Sequence, residues 1–469
     1  MLARPFHLAN RERSLELCSH VMALSESEVR RQLGEVESGF GHRHVRFREL
    51  LLARFAMLRS GPKPPVRRGQ NVTAERQLLL GAYFTHEYSL EGAALFNPSI
   101  VPHPDQSDVP PGSLRFILSL RATGEGHISS ITFRTGHVDE RGAISITTRS
   151  RYCLDGTVVS DAAHEKALLA RRLEVRGLVG DLPGRVLEDL RDTFTLNELE
   201  ASVRRRIGDP AGRHPGDAAV SNRILELAQS NFEVTFPPET RLSERVLFPR
   251  TAAQRNGIED ARFVRFVDEN GSATFYATFT AYDGRRIEPQ FLETDDFLRF
   301  KFITLNGPAI RNKGMALFPR RIRGRYAMLG RQDGGNILVG FSDHLHFWGE
   351  MELVVKPAFP WEFVQIGNCG SPIETEAGWL VLSHGVGAMR RYCIGAFLLD
   401  RDDPTKVVGR LREPLLQPSD REREGYVPNV VYSCGCILNG KQLVIPYAFS
   451  DSATSFATLP VAELLARME

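Results

Sequence analysis

Asn256-Gly257-Ile258-Glu259-Asp260-Ala261-Arg262 runs without a break into Phe263-Val264-Arg265-Phe266-Val267. The first seven residues read as a polar loop, because Asp is depleted in strands and Asn-Gly favours turns. The next five alternate with period two and read as a strand. A turn at Glu269-Asn270-Gly271 follows, then a second strand, Ala273 to Tyr282. The polar loop therefore sits at the mouth of a β-hairpin. A carboxyl group held there beside Arg262 can be tuned as an acid or base, although a capped turn with a surface ion pair has the same local sequence.

Working outward, the hairpin pattern recurs. Arg320 to Leu329, Glu376 to Leu382 and Cys436 to Ile445 repeat a glycine turn and an apolar strand at roughly 57–60-residue spacing. Each unit then has a polar loop, containing Asp283, Arg331, His384 or Asp451. The alternating stretches Leu114 to Arg121 and Ser129 to Arg134 supply a further unit. Five β units of this size imply propeller blades or a solenoid. Radial blades would bring Arg121, Asp260, Arg331, His384 and Asp451 to one mouth.

The flanking regions differ in texture. Residues 1–88 read as helical, with a capping box at Ser25 and Glu28. A second helix passes through Phe47 to Leu58, and the stretch Ser60 to Pro65 breaks it. A third begins at Thr73 and extends to Tyr83 or on towards Ala94. Residues 160–232 read as a helical insertion (His164 to Arg176, Leu182 to Ile207, Ala218 to Gln229). The expected organisation is thus an N-terminal helical extension over 1–88 and a mainly β domain over 89–469 interrupted at 160–232. The N-terminal helices would cover one face of the β domain or make a homo-oligomer contact.

Bulk composition narrows the class of function. There are 59 basic and 57 acidic side chains among 469 residues, net +2, so no global charge favours nucleic acid or an anionic membrane. No apolar run approaches the roughly 20 residues of a membrane span, and the first residues lack a signal-peptide apolar core. The six cysteines lack zinc-site spacing and read as reduced thiols, which places the chain in the cytoplasm, with no metal and no organic cofactor expected.

A set of motifs then comes in order: Phe96-Asn97-Pro98-Ser99, Gly257 to Arg262, Lys313 to Pro319, Ser342-Asp343 with Trp348, His384-Gly385-Val386 with Tyr392, Asp403 to Lys406, and Val427 to Val431. Over roughly residues 90–469 the chain resembles glycoside hydrolase family 130. The resemblance implies a five-bladed β-propeller that cleaves β-mannosides, here β-1,2-linked manno-oligosaccharides, with inversion. It implies that Asp260 is the proton donor, directly or through a sugar hydroxyl, with Ala261 where the family usually has Pro. Matching phosphate-binding places are Arg311, Asn312, Arg331, His384 and Tyr392, with Lys313 beside them. Glu374 stands where the resemblance calls for a phosphate-binding Lys. A carboxylate there would repel phosphate at a cost on the order of 1–4 kcal/mol, whereas beside water it is a base.

The leading expectation from the sequence is therefore inverting hydrolysis, with Asp260 as acid and Glu374 as base about 6.5–9.5 Å away. Glu376 is the reserve base. Asn97, Arg121, Arg262 and Asp451 would bind sugar hydroxyls or orient the carboxylates, and Trp348 and Tyr282 are candidates to stack on a sugar ring. The alternative is phosphorolysis, with inorganic phosphate as co-substrate and mannose 1-phosphate as product. A carbohydrate-binding propeller without turnover is the third reading.

Overall fold

The computed structural model describes residues 1–8, 10–60, 64–67, 69–208 and 216–469. It is mainly β, with the α-helices of the described residues confined to the N-terminal region, the insertion and one short C-terminal turn. Five antiparallel stacks follow one another along the chain. The first contains Ala94–Pro102, Leu114–Thr123 and Ser129–Val138. The second contains Gly257–Val267, Ala273–Tyr282, Ile287–Thr294 and Arg299–Thr304. A single parallel pair, Gly257 opposite Ser129, joins these two into one sheet.

The third stack is built on Tyr326–Gly330 and Ile337–Ser342. The fourth is built on Gly378–Val386 and Tyr392–Leu399, and the fifth on Gln442–Phe449 and Ala453–Pro460. The strand Gly378–Val386 is buried along its whole length, so it reads as a continuous apolar run broken only by Ser383 and His384. Apolar side chains weld consecutive stacks together. Phe133, Phe263, Phe297 and Phe300 fill the space between the first and second, and Phe266, Met328 and Trp348 that between the second and third. Phe318 meets Trp379 edge-on at 5.1 Å between the third and fourth. Leu382, Ile394, Val431 and Ile445 join the fourth to the fifth, and Ile100, Phe116, Ile437 and Val444 join the fifth to the first. Burying such side chains contributes roughly 1.5–3 kcal/mol each, so these seams are a main source of cohesion.

The N-terminal region differs from the expectation of helix throughout. Four helices, Arg11–Ala23, Glu26–Phe40, Phe47–Arg59 and Ala74–Tyr83, are bracketed by the strands Leu2–Pro5 and Thr85–Tyr88, which pair with each other. The Ser25–Glu28 capping box is present. The last helix stops at Tyr83, because Thr85 onward is taken up by that strand pair. The helix break over Ser60 to Pro65 falls partly on Gly61, Pro62 and Lys63, which lie outside the described residues. In the insertion, the single helix expected over Leu182 to Ile207 is two, Asp181–Glu188 and Leu196–Gly208, separated by the strand Thr193–Thr195. That strand pairs with Ala163–Glu165, a long-range contact that local periodicity does not report.

Candidate functional site

Asp260 lies inside the strand Gly257–Val267, not in a loop ahead of it. The strand bulges between Glu259 and Arg262, and Asp260 takes a positive φ of 54°. The bulge is what lets a polar residue occupy a buried strand, since it re-aims the side chain away from the sheet. The neighbouring strand Ala94–Pro102 bulges in the same way between Phe96 and Ser99, with Asn97 at φ 48°. Asn and Asp tolerate this left-handed region better than other side chains.

The two bulges meet. The Asn97 amide donates to Asp260 Oδ1 at 2.7 Å, and Arg121 Nη1 donates to the same oxygen at 3.3 Å. Arg121 Nη2 holds Glu259 at 2.7 Å, its Nε donates to Ser129 Oγ at 2.9 Å, and its guanidinium lies over the Phe96 ring. Arg262 donates to the Asp260 carbonyl at 3.2 Å and to the Tyr432 hydroxyl at 2.6 Å. Tyr432 meets the His384 ring edge-on at 4.9 Å, and Arg331 Nη1 donates to His384 Nε2 at 3.0 Å. Tyr392 stacks on His384 at 6.0 Å, and Asn312 donates to the Arg331 carbonyl at 3.1 Å. Gly367 makes room for this pair, because a Cβ there would lie 2.5 Å from His384 Cε1 and 3.1 Å from Arg331 Cδ.

Charge sets the protonation states. Burial by itself would raise the Asp260 pKa. Arg121, Lys313 and Arg262, together with the Asn97 amide, override it and hold the carboxyl at about 2. Asp451, at φ 50° on the last stack, goes the other way. Burial and the Asp260 charge push it up to about 6, against Arg121, Arg390 and Lys313. His384 is driven well below the ordinary imidazole value by burial and by Arg331, Arg262 and Lys313, so it is neutral. A neutral His384 that accepts from Arg331 on Nε2 carries its proton on Nδ1. That Nδ1, Arg331 Nε, Asn97 Oδ1 and both amide atoms of Asn368 are buried without a hydrogen-bond partner among the described residues. Buried polar atoms are rarely left so, and those of Arg331, His384 and Asn368 sit on neighbouring residues, which makes this a candidate ligand position.

The structure therefore brings together Asp260, Asn97, Arg121, Arg262, Asn312, Lys313, Arg331, His384, Tyr392 and Asp451. Arg311 is exposed on the same loop as Asn312 and Lys313, outside the contacts of the cluster. Glu374 does not join them. It lies on the short strand Ile373–Thr375 opposite Trp379, whereas His384 is five residues further along the same partner strand. At about 3.3 Å per residue that is roughly 16 Å. Glu374 is instead gripped by Arg320, at 2.6 and 2.8 Å, and by Arg401 at 3.0 Å. The Arg320 hydrogen bonds, against partial burial, hold its pKa below the usual range. The expectation that Glu374 is the hydrolytic base is overturned by this register.

Glu376 is exposed in the turn at the same distant end. Trp348 is fully buried with its indole N–H on the Leu345 carbonyl at 2.9 Å, so it has no face for a sugar. The Tyr282 hydroxyl closes its own turn on the Gly284 carbonyl at 3.0 Å. Conversely, Glu259, Ser129, Asn368, Tyr432 and Arg390 belong to the cluster and escaped the sequence reading. Only Glu259 carried a signal, its adjacency to Asp260. Ser129, Asn368 and Tyr432 become visible through strand pairing, and Arg390 through its place over the Tyr392 ring.

Comparison with known proteins adds the following. The model of glycoside hydrolase family 130, described as beta-1,4-mannooligosaccharide phosphorylase, matches residues 219–469. A 1,2-beta-oligomannan phosphorylase of Thermoanaerobacter sp. (strain X514) is 34% identical over 232 residues, covering 48% of this chain and 75% of the relative. A beta-1,2-mannobiose phosphorylase of Listeria innocua is 33% identical over 236 residues, covering 48% and 63%. Among solved structures, the Listeria innocua beta-1,2-mannobiose phosphorylase in complex with beta-1,2-mannobiose aligns at a TM-score of 0.48 and 22% identity, over 81% of this chain and 93% of that one.

Proposed function

This chain belongs to glycoside hydrolase family 130, an enzyme family of glycosidases and glycoside phosphorylases, and from that premise we propose that it is an inorganic-phosphate-dependent β-mannoside phosphorylase acting on β-1,2-linked manno-oligosaccharides. The observation that carries the reading is the pair Arg331–His384. It offers phosphate a guanidinium and an Nδ1–H without a protein partner, next to Asn368 and within the field of Lys313. The carboxylate that would have argued for water as nucleophile is locked to Arg320, opposite the far end of the strand that carries His384.

The proposed reaction is a single displacement with inversion. A phosphate oxygen attacks the anomeric carbon as the glycosidic C–O bond breaks. Asp260 gives its proton to the departing oxygen, directly or through a sugar hydroxyl, and the proton carried by hydrogen phosphate restores Asp260. Mannose 1-phosphate and the shortened saccharide leave, and no step calls on a metal or an organic cofactor. Asp260 is ionised in the free protein because Arg121, Lys313 and Arg262 surround it. A phosphate dianion bound beside the same cations offsets their field and raises the Asp260 pKa, so the acid is loaded when the co-substrate is present. Asp451 and Asn97 are the proposed contacts to sugar hydroxyls.

We also read the five stacks as blades of a propeller with the site at its central mouth. The cores between each consecutive pair, and between the fifth and first, support this. So do the backbone hydrogen bonds from Cys434 to Pro98 at 2.8 Å and from Leu95 to Ser452 at 3.1 Å.

An assay of β-1,2-mannobiose with and without inorganic phosphate tests the function. Mannose 1-phosphate formed only with phosphate is the expected result. Free mannose released at full rate in phosphate-free buffer means hydrolysis instead, and absence of turnover on any β-mannoside means a binding protein.

A further inference from the structure

The helical insertion and the sheet beside it line a solvent-open cavity of about 600 Å³ whose lining contains none of the Asp260 cluster. One part of its wall is apolar, with Leu196, Leu227 and Phe232. Another part carries the guanidiniums of Arg176, Arg223, Arg250 and Arg286. Arg176 is paired with Glu288 at 2.7 Å and Arg250 with Asp155 at 2.6 Å, and Glu226 is the remaining carboxylate of the lining.

A fifth guanidinium stands behind these. Arg172 lies one turn before Arg176 at the end of the helix Lys166–Val175, hence on the same face. It is 1% exposed, and its Nε and Nη2 have no hydrogen-bond partner among the described residues. Burial lowers its pKa to about 10, so it stays charged at neutral pH. Its charge is felt by His164, which lines the cavity, and it shares the field of Glu288 with Arg176. The Thr251 hydroxyl on the lining is also buried without a partner. Folds seldom leave a buried guanidinium with unmet N–H groups. Among the described residues these five guanidiniums, those of Arg176, Arg223 and Arg286 on solvent-exposed residues, face three carboxylates, Asp155, Glu226 and Glu288, an excess of two positive charges.

We propose that this cavity is a second ligand site, for a phosphate monoester dianion of sugar-phosphate size, with the arginines taking the phosphate and Leu196, Leu227 and Phe232 covering the organic part. A phosphate ester supplies close to two negative charges at neutral pH, which a carboxylate does not. The volume exceeds what inorganic phosphate alone would fill.

Isothermal titration of the full chain with fructose 6-phosphate, and separately with mannose 1-phosphate, tests this. The Asp260→Asn protein is used so that turnover does not interfere. One saturable site per chain for fructose 6-phosphate is expected, weakening about tenfold or more in Arg223→Ala/Arg286→Ala. Absence of saturable binding of either ester overturns the proposal, and so does affinity unchanged in the double variant. Binding of mannose 1-phosphate alone, insensitive to the double variant, assigns the ligand to the Asp260 cluster and likewise overturns it. Should the double variant not fold, Arg223→Glu on an exposed helix surface gives the same reading, with unchanged affinity again the negative result.

Discussion

The Asn97 amide donates to the Asp260 carboxylate at 2.7 Å, from one bulged strand to another, with both residues at positive φ. Each bulge breaks its own strand pairing to bring this contact about. The contact spans 163 residues of sequence and joins the first stack to the second.

Replacing Asp260 tests its role as acid most directly. Asn keeps the shape and tolerates the left-handed backbone, so Asp260→Asn is expected to fold. Turnover should fall about 10²–10⁴-fold, the usual worth of a general acid. Mannose 1-phosphate release at saturating substrates, alongside a thermal melt, measures both.

The Asn97 contact is separable from the backbone strain. Asn97→Gly relieves the positive φ while removing the amide. A hydrogen bond to a charged group is worth about 1.5–3 kcal/mol, so kcat/KM should drop about 10- to 150-fold. A drop below threefold would mean that Asn97 matters to the bulge alone.

Glu374 and Arg331 make opposite predictions. Glu374→Gln should keep turnover within about twofold and cost on the order of 1 kcal/mol of stability, since its ion pairs are partly exposed. Arg331→Ala should raise the KM for phosphate about tenfold or more with a smaller effect on the KM for saccharide. Arg331→Lys should not restore it, because a lysine cannot both donate to His384 and present a second N–H in the guanidinium plane. Initial rates with phosphate varied at saturating β-1,2-mannobiose separate these outcomes.

Asp451 gives a pH dependence of stability with a definite sign. Its folded pKa, about 6, lies above the ordinary Asp value of about 3.9. Between these values the folded chain binds more protons than the unfolded one, so stability falls as pH rises through that window. Below about pH 4 the contribution is fully present, and above about pH 6 it is fully lost. Asp451→Asn should therefore melt higher than the parent at pH 7.5, and this advantage should vanish at pH 4. Parallel melts of the two proteins across that range check it.

Much of the β framework was legible from residue pattern. The strands around Leu114 to Phe133, Phe263 to Tyr282, Trp379 to Leu382 and Leu443 to Ile445 stand where period-two alternation and apolar runs put them. The N-terminal strand pair was not legible, because Leu2–Pro5 gains its partner 80 and more residues away at Thr85–Tyr88. The break between the helices at Glu188 and Leu196 was missed for the same reason.

At the site, side-chain type and motif order were enough to single out Asn97, Arg121, Asp260, Arg331, His384 and Asp451. Tertiary structure decided which charges share a field. Glu374 stands where the family resemblance calls for a phosphate-binding Lys, which suggested a base, but pairing opposite Trp379 sends it to the far end of the strand that carries His384. The protonation states were likewise beyond the sequence, since of two aspartates of identical chemistry Asp260 is held at about 2 by Arg121, Lys313 and Arg262, whereas burial and the Asp260 charge push Asp451 up to about 6. Composition and periodicity determine which residues enter strands and which side chains can ionise. Strand register and burial determine which of them meet, because Coulomb energies depend on distances that only the assembled stacks define.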